Sequence, residues 1–397
     1  MICAAALASL AAAAAPMWHE LSTEYTFEKW CDDFKQCETM TDDLRAQRAA
    51  IFKVNRDAIL AHNGADNGAT YKNGVNPFTA LTREEFRNLH LGGYDKTMAR
   101  ALHEAMPLSA PLSEEDLPTD VDWRTKGVVT KVKNQGGCGS CWAFSATETI
   151  ESNVAINTKK LLELSPQQIT SCAPNPNHCG GTGGCQGSTQ WLGFQYVQGP
   201  GITSEADYPY QGVTGECKTA KIKPVANITG FVRLPTNNYT QLMSAIANVG
   251  PISISAAAEP WQMYESGVYN GNCGADIDHA VQATGYGVTS AGVGYWTVRN
   301  SWVVDFIYRY TLCESCSRFD LPPLIYYHLK NISRWGGDWG EQGYIRIQRT
   351  GLKKQCQTDN TPGDGTACAG GPSSVTVCGL CGILSDSSYV TGGHTMN

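Results

Sequence analysis

The chain has 397 residues, enough for two or three structural units at roughly 150 residues each. Hydrophobic residues make up 42% and charged residues 17%, a balance that supports a packed core and excludes a wholly disordered chain. The net charge of −7 argues against a nucleic-acid partner, which needs a basic face to neutralise phosphates.

Met1 to Ala15 form an Ala/Leu-rich stretch with no charged side chain, ending in a run of alanines. It is too short to span a bilayer and reads as a signal peptide cut near Ala13 to Ala15. No later apolar run is long enough for a transmembrane helix, so no membrane contact is expected once the leader is removed. The 16 cysteines agree with a secretory route.

From residue 17 to about 90 the chain reads as helical. Phe27, Trp30 and Phe34 share one helix face. A second helix is expected over Asp42 to Ala61. Thr82 and Glu85 form a capping box that starts a third, Arg83 to about Leu89. Residues 92 to 117 collect Gly, Pro, Ser and acidic residues and read as an exposed, easily cut linker.

Beyond Leu117 helices come first and strands later. Trp142, Ala146, Ile150 and Val154 recur at helical spacing, and Ser165-Pro166-Gln167-Gln168 is a helix start. A helix at Tyr239 to Val249, stopped by Gly250-Pro251, interrupts strand patterns such as Tyr295 to Arg299 and Gly343 to Arg349. A helical half and a β-rich half follow, an α+β arrangement with no internal repeat.

The chemistry concentrates in Gln135-Gly136-Gly137-Cys138-Gly139-Ser140-Cys141-Trp142-Ala143-Phe144-Ser145. The glycines deliver Cys141 to a helix N-terminus, where unpaired N–H groups and the helix dipole favour a thiolate nucleophile. Taken alone, Cys138-Gly139-Ser140-Cys141 equally fits a redox pair or two structural cysteines.

The wider pattern resembles the papain family of cysteine proteases, nearest its cathepsin L-like branch. Asp278-His279-Ala280-Val281, Asn300-Ser301-Trp302 and Trp339-Gly340-Glu341-Gln342-Gly343-Tyr344 follow the first motif in the family's order. The resemblance implies a two-domain papain-like fold, with a helical domain and a β-barrel-like domain, preceded by a helical propeptide. The implied activity is that of a cysteine endopeptidase made as a zymogen. Cys141 would be the nucleophile, His279 the acid–base partner forming an ion pair with it, and Asn300 the group orienting the imidazole. Gln135 and the Cys141 N–H would form the oxyanion hole.

Gly187, Ser188, Trp302 and Asp386 are the implied substrate-binding positions. Counting on from Cys381-Gly382-Ile383 places Asp386 at the floor of the S2 pocket, and Ser188 stands where the family usually has glycine. The resemblance pairs Cys138 with Cys185, Cys172 with Cys217, and Cys273 with Cys381. It leaves Cys179, Cys356, Cys368 and Cys378 for two further bridges, and Cys31 with Cys37 for one in the propeptide.

Arg48, Phe52, Asn55, Ile59 and Asn63 resemble the family's inhibitory propeptide helix, with Leu44 where Glu is usual. Gly74, Asn76 and Phe78 resemble a second propeptide motif, with Ala80 where Asp is usual. The organisation read from this is residues 1–15 as signal peptide, 16–116 as inhibitory propeptide and linker, and 117–397 as protease domain.

The family continues from Asn-Ser-Trp directly into Gly-x-x-Trp-Gly. Here residues 303–335 intervene and read as an insertion or retained intron. Cys313, Cys316 and His328 within it lack a fourth ligand, so no metal is expected, and no cofactor either. The alternative reading is a catalytically impaired homologue that only binds peptides because 303–335 obstructs the cleft. A thiol–disulfide oxidoreductase using Cys138 and Cys141 is the third. The expected partners are peptide and protein substrates and the chain's own propeptide, acting on a monomer. The expected location is lysosomal, vacuolar or extracellular. Asn227 and Asn238 stand in glycosylation sequons.

Overall fold

The computed structural model describes residues 15–91, 108–110, 112, 117–302, 339–351, 355–365, 367–368 and 370–396. The stretch read as a signal peptide apart from Ala15, most of the stretch read as a linker, and the whole of 303–335 with Cys313, Cys316 and His328 therefore lie outside the described residues.

The N-terminal region is built on α1 (Phe27–Phe34) and α2 (Asp42–Gly64), each started by a threonine whose hydroxyl accepts an N–H of the first turn. The apolar face of α1 meets Phe52 of α2, with the Phe27 and Trp30 rings each 5.9 Å from it. Polar side chains of α2 then hold the chain that follows. Asn63 exchanges hydrogen bonds with the backbone of Asn73, and Asn55 Nδ2 donates to the carbonyls of Thr79 and Leu81. Arg48 bonds the Ala80 carbonyl and pairs with Glu85 at 2.6 Å. The two departures from the family pattern fall differently: Leu44 is exposed, while Ala80 is buried in the cluster around Phe27 and Phe52.

Between these helices and α3 (Arg83–Phe86) lies β1 (Tyr71–Asn73), a strand the helical reading did not anticipate. It pairs antiparallel with β7 (Tyr264–Tyr269) of the main body and joins the N-terminal region to the central sheet. The capping box at Thr82 and Glu85 is present, but α3 ends at Phe86 and gives way to a π-turn, Arg87–Leu91.

The body starts with β2 (Val121–Asp122) and then has α4 (Cys141–Thr158), α5 (Pro166–Cys172), α6 (Gln190–Gln198) and β3 (Ile202–Thr203). These are followed by β4 (Pro224–Asn227), β5 (Gly230–Arg233), α7 (Tyr239–Asn248), β6 (Ile252–Ala256) and β7. Next are β8 (His279–Val288), β9 (Gly294–Arg299), β10 (Tyr344–Gln348), β11 (Cys356–Asp359), β12 (Val375–Cys378), β13 (Ser387–Thr391) and β14 (His394–Thr395). The central sheet runs β1-β7-β10-β9-β8-β6-β13-β5, with β2 added on β8. A small sheet, β14-β4-β3, sits in the helical half. Ser109 and Leu112 are not part of a free linker: Ser109 N donates to the Arg233 carbonyl of β5, and Leu112 exchanges hydrogen bonds with Gln241 of α7.

The sequence assigned α4 one apolar face, but the helix is buried on nearly all sides because it lies between the two halves. Its hidden polar groups are paired across that boundary. Glu151 meets Lys133 at 2.8 Å, Glu148 meets Arg299 of β9 at 3.5 Å, and Ser145 Oγ donates to the Val281 carbonyl.

Burial raises three carboxyl groups, Glu148, Glu265 and Asp278, each to about 7. The folded chain thus holds protons that the unfolded chain releases near its ordinary carboxylate values. This stabilisation is full below those values and is lost as pH rises through about 7. The melting temperature of a Cys141→Ala variant of the chain is expected to fall between pH 5 and pH 8. Glu265→Gln removes one of the three groups and makes the fall shallower. A melting temperature that rises over this range contradicts the assignment.

Candidate active site

Cys141 is the first residue of α4, with Ser140 as the N-cap. The turn before it is fixed by the Cys138–Cys185 disulfide, by Gly139 N donating to the Cys185 carbonyl, and by Gly136 at φ 59°. Tyr210 Oη donates to the Gln135 carbonyl at 2.8 Å and sits 2.5 Å from Ser140 Oγ, tying both ends of the turn together.

From the other half, β8 begins at His279 and β9 delivers Asn300. His279 Nε2 lies 2.8 Å from Asn300 Oδ1. The same oxygen accepts the Ser301 N–H, which fixes it as the amide oxygen. Nε2 therefore carries the imidazole hydrogen, and buried Nδ1 is left without a hydrogen-bond partner. Trp302 stacks on the imidazole at 4.7 Å and is backed by Trp339 at 5.0 Å. Trp302 and Trp339 flank residues 303–338, so the chain leaves and re-enters the body at one place.

Gln135 bridges the halves. Its Oε1 accepts from Ser301 Oγ at 2.5 Å, so its amide nitrogen points the other way, toward the cleft. There Nε2 donates to the Cys138 carbonyl at 2.9 Å and to the carbonyl of His90 at 2.8 Å. His90 belongs to the N-terminal region. Leu91, which follows it, lines one cavity with Cys141, Gly187, Ser188 and His279. Phe78 and Phe86 cover Trp302 at 6.0 Å and 5.0 Å. The N-terminal region therefore fills the cleft on both sides of Cys141.

This covering changes the charge state expected for the pair. Burial pushes the Cys141 thiol up to about 11 and the His279 imidazole down to about 4. With the cleft filled, burial favours the neutral form of each group over the thiolate–imidazolium pair implied by the resemblance. The largest cause in both cases is desolvation by burial.

Asp386 does not line the cavity. Its Oδ2 accepts from Gln190 Nε2 at 2.7 Å and from Ser255 Oγ at 2.9 Å, and those two residues form that part of the wall. Cys172 is bridged to Cys217, Cys273 to Cys381, Cys31 to Cys37, Cys179 to Cys368 and Cys356 to Cys378. Cys141 is the free cysteine among the described residues. No group of His, Cys, Asp or Glu among them is arranged to hold a metal.

Sequence reasoning gave no role of its own to Ser301, which it quoted only within Asn300-Ser301-Trp302, and did not single out Tyr210; the two orient the Gln135 side chain and hold the turn before Cys141. It also missed His90 and Leu91, which occupy the cleft. An isolated Tyr, His or Leu carries no pattern that could have marked these three.

The papain family cysteine protease domain matches residues 117–309, and the cathepsin propeptide inhibitor domain matches residues 27–86. The first match ends inside the 303–335 segment. Germination-specific cysteine protease 1 of Arabidopsis thaliana is 37% identical over 310 residues, covering 76% of this chain and 72% of that protein. Vignain of Ricinus communis is 32% identical over 375 residues, 91% of this chain and 84% of that protein. Among solved structures, a recombinant stem bromelain precursor superposes with a TM-score of 0.67 at 32% identity, covering 92% of this chain and 97% of that one. The proform of the ragweed pollen cysteine protease Amb a 11 gives 0.67 at 31%, covering 92% and 93%.

Proposed function

The chain belongs to the papain family of cysteine proteases and carries a cathepsin-type propeptide inhibitor domain, and from that premise we propose a cysteine endopeptidase made as a zymogen, with Cys141, His279, Asn300 and Gln135 as its catalytic set. The observation that carries the proposal is the His90 carbonyl on Gln135 Nε2: a backbone carbonyl from the propeptide takes the donor that a scissile carbonyl would need.

In the mature enzyme Cys141 Sγ attacks the substrate carbonyl. His279 Nδ1 takes the thiol proton and returns it to the leaving amine, while Asn300 holds Nε2–H and so fixes the tautomer. Gln135 Nε2 and the Cys141 N–H receive the developing oxyanion. We assign residues 1–15 as signal peptide, 16–116 as propeptide and linker, and 117–397 as the protease domain. Six disulfides among the described residues suit a secretory or vacuolar route.

Labelling with a thiol-directed peptide epoxide, with hydrolysis of a peptide substrate measured alongside, tests the reading. Matured enzyme should label and hydrolyse, while label without hydrolysis would leave only peptide binding. Removing residues 303–335 is expected to raise both yield and activity, since the flanking Trp302 and Trp339 already meet. A deletion variant less active than the full chain would make that segment part of the enzyme.

Asp386 is proposed to act on S2 selectivity through Gln190 and Ser255. Asp386→Ala, which releases those two side chains, should change the relative rates for substrates with Arg and Leu at P2. Equal behaviour of the two proteins rules Asp386 out as selector.

A further inference from the structure

The four extra cysteines build a strap across the cleft. The β11–β12 hairpin is closed at its base by the Cys356–Cys378 disulfide, on strands paired in the same register. Its loop reaches the helical half, where Cys368 is bridged to Cys179 and the Ala367 carbonyl accepts from Gly180 N at 3.0 Å. On the way it presses against the β half beside the catalytic histidine. A Cβ on Gly365 would lie 1.8 Å from the Ile277 carbonyl, and a Cβ on Gly180 would lie 2.2 Å from the Gly365 carbonyl. The loop backbone is thus seated on both walls with no room for a side chain between. Asp364 and Gly365 close the end of the cavity that holds Cys141.

The closed end can be assigned from the chemistry. His279 protonates the leaving amine and lies under Trp302, so the amine half of a substrate runs on the Trp302 side. The acyl half runs past Gly187 and Ser188, toward the strap. An interior segment of polypeptide must continue through that end, whereas a chain that starts there need not. Its α-ammonium would then meet the Asp364 carboxylate. In the precursor that carboxylate already receives a cation from the propeptide, with Arg87 Nη2 3.3 Å from Asp364 Oδ2.

We propose that the mature enzyme has an N-terminal exopeptidase mode beside interior cleavage, releasing dipeptides from polypeptides whose free α-ammonium is held by Asp364 at the strap. This rests on the catalytic reading above. The Cys141 Sγ–carbon bond forms as the second peptide bond breaks, and the shortened polypeptide leaves as an amine with the proton from His279. Water then cleaves the thioester, freeing the dipeptide as its carboxylate and restoring the Cys141 thiol.

The test uses enzyme matured from the full-length precursor and titrated with the peptide epoxide. One short peptide is supplied with either a free or an acetylated N-terminus, and products are identified by mass spectrometry. The free peptide is expected to release its N-terminal dipeptide about ten- to a hundredfold faster than the acetylated peptide is cleaved anywhere, the range for a hydrogen bond to a charged group. Asp364→Asn should lower the free-peptide rate by a similar factor and remove most of the difference between the two peptides. Equal rates with interior cuts in both peptides overturn the exopeptidase mode and leave the endopeptidase standing. Titratable enzyme that cleaves neither peptide overturns both. If Asp364→Asn does not fold, the free-versus-acetylated comparison on the native enzyme decides alone.

Discussion

Cys141→Ala is expected to abolish hydrolysis, with kcat falling on the order of 10⁶-fold, the scale for removing a nucleophile from a catalytic group that acts as a unit. A methyl cannot form the thioester, and no other described cysteine is free to replace it. The fold should survive. Cys141 is unbridged, Ala is at home in the first turn of a helix, and the Cys138–Cys185 bridge that fixes the turn is untouched. Equal melting temperatures for the two precursors check this. Residual activity within a hundredfold of the native enzyme would place the nucleophile elsewhere. Asn300→Ala should leave a measurable rate, because it orients the imidazole and does not react.

Gln135→Glu is expected to lower kcat by about 10²–10³-fold with little change in KM, the cost of one oxyanion donor. The substitution is informative because it keeps the oxygen that accepts from Ser301 Oγ and puts a carboxylate oxygen where the amide donor stood. The precursor should also change. The buried His90 carbonyl loses its partner, a cost of about 1–3 kcal/mol, so the propeptide should be held less tightly. Steady-state kinetics of the mature form and inhibition by added propeptide measure the two effects. A fall of less than tenfold would remove Gln135 from the oxyanion hole.

The parts of this enzyme legible in its sequence are those with local causes. The threonine caps of α1 and α2, the box at Thr82 and Glu85, and the glycines that put Cys141 at a helix start act within a few residues. The illegible parts are set by distant contacts. The π-turn at Arg87–Leu91 follows from seating His90 and Leu91 against Gln135 and the cleft, which no local pattern announces. Strand β1 has only three residues and exists because β7 offers an edge. The cysteines of the strap were visible, but Cys179 and Cys368 are 189 residues apart and their pairing depends on a loop crossing two domains. Glu148 and Glu151 likewise sit on a helix face that a single-face reading assigns to solvent.

The central claim is that a complete catalytic set is held neutral and covered by the chain's own N-terminal region. Epoxide labelling of the intact precursor and of the matured enzyme, followed by peptide mapping, tests it most directly. The account predicts Cys141 unlabelled in the precursor at neutral pH and labelled after maturation, in step with the appearance of hydrolysis. Equal labelling of Cys141 in both forms, or hydrolysis that persists in fully labelled enzyme, would contradict it.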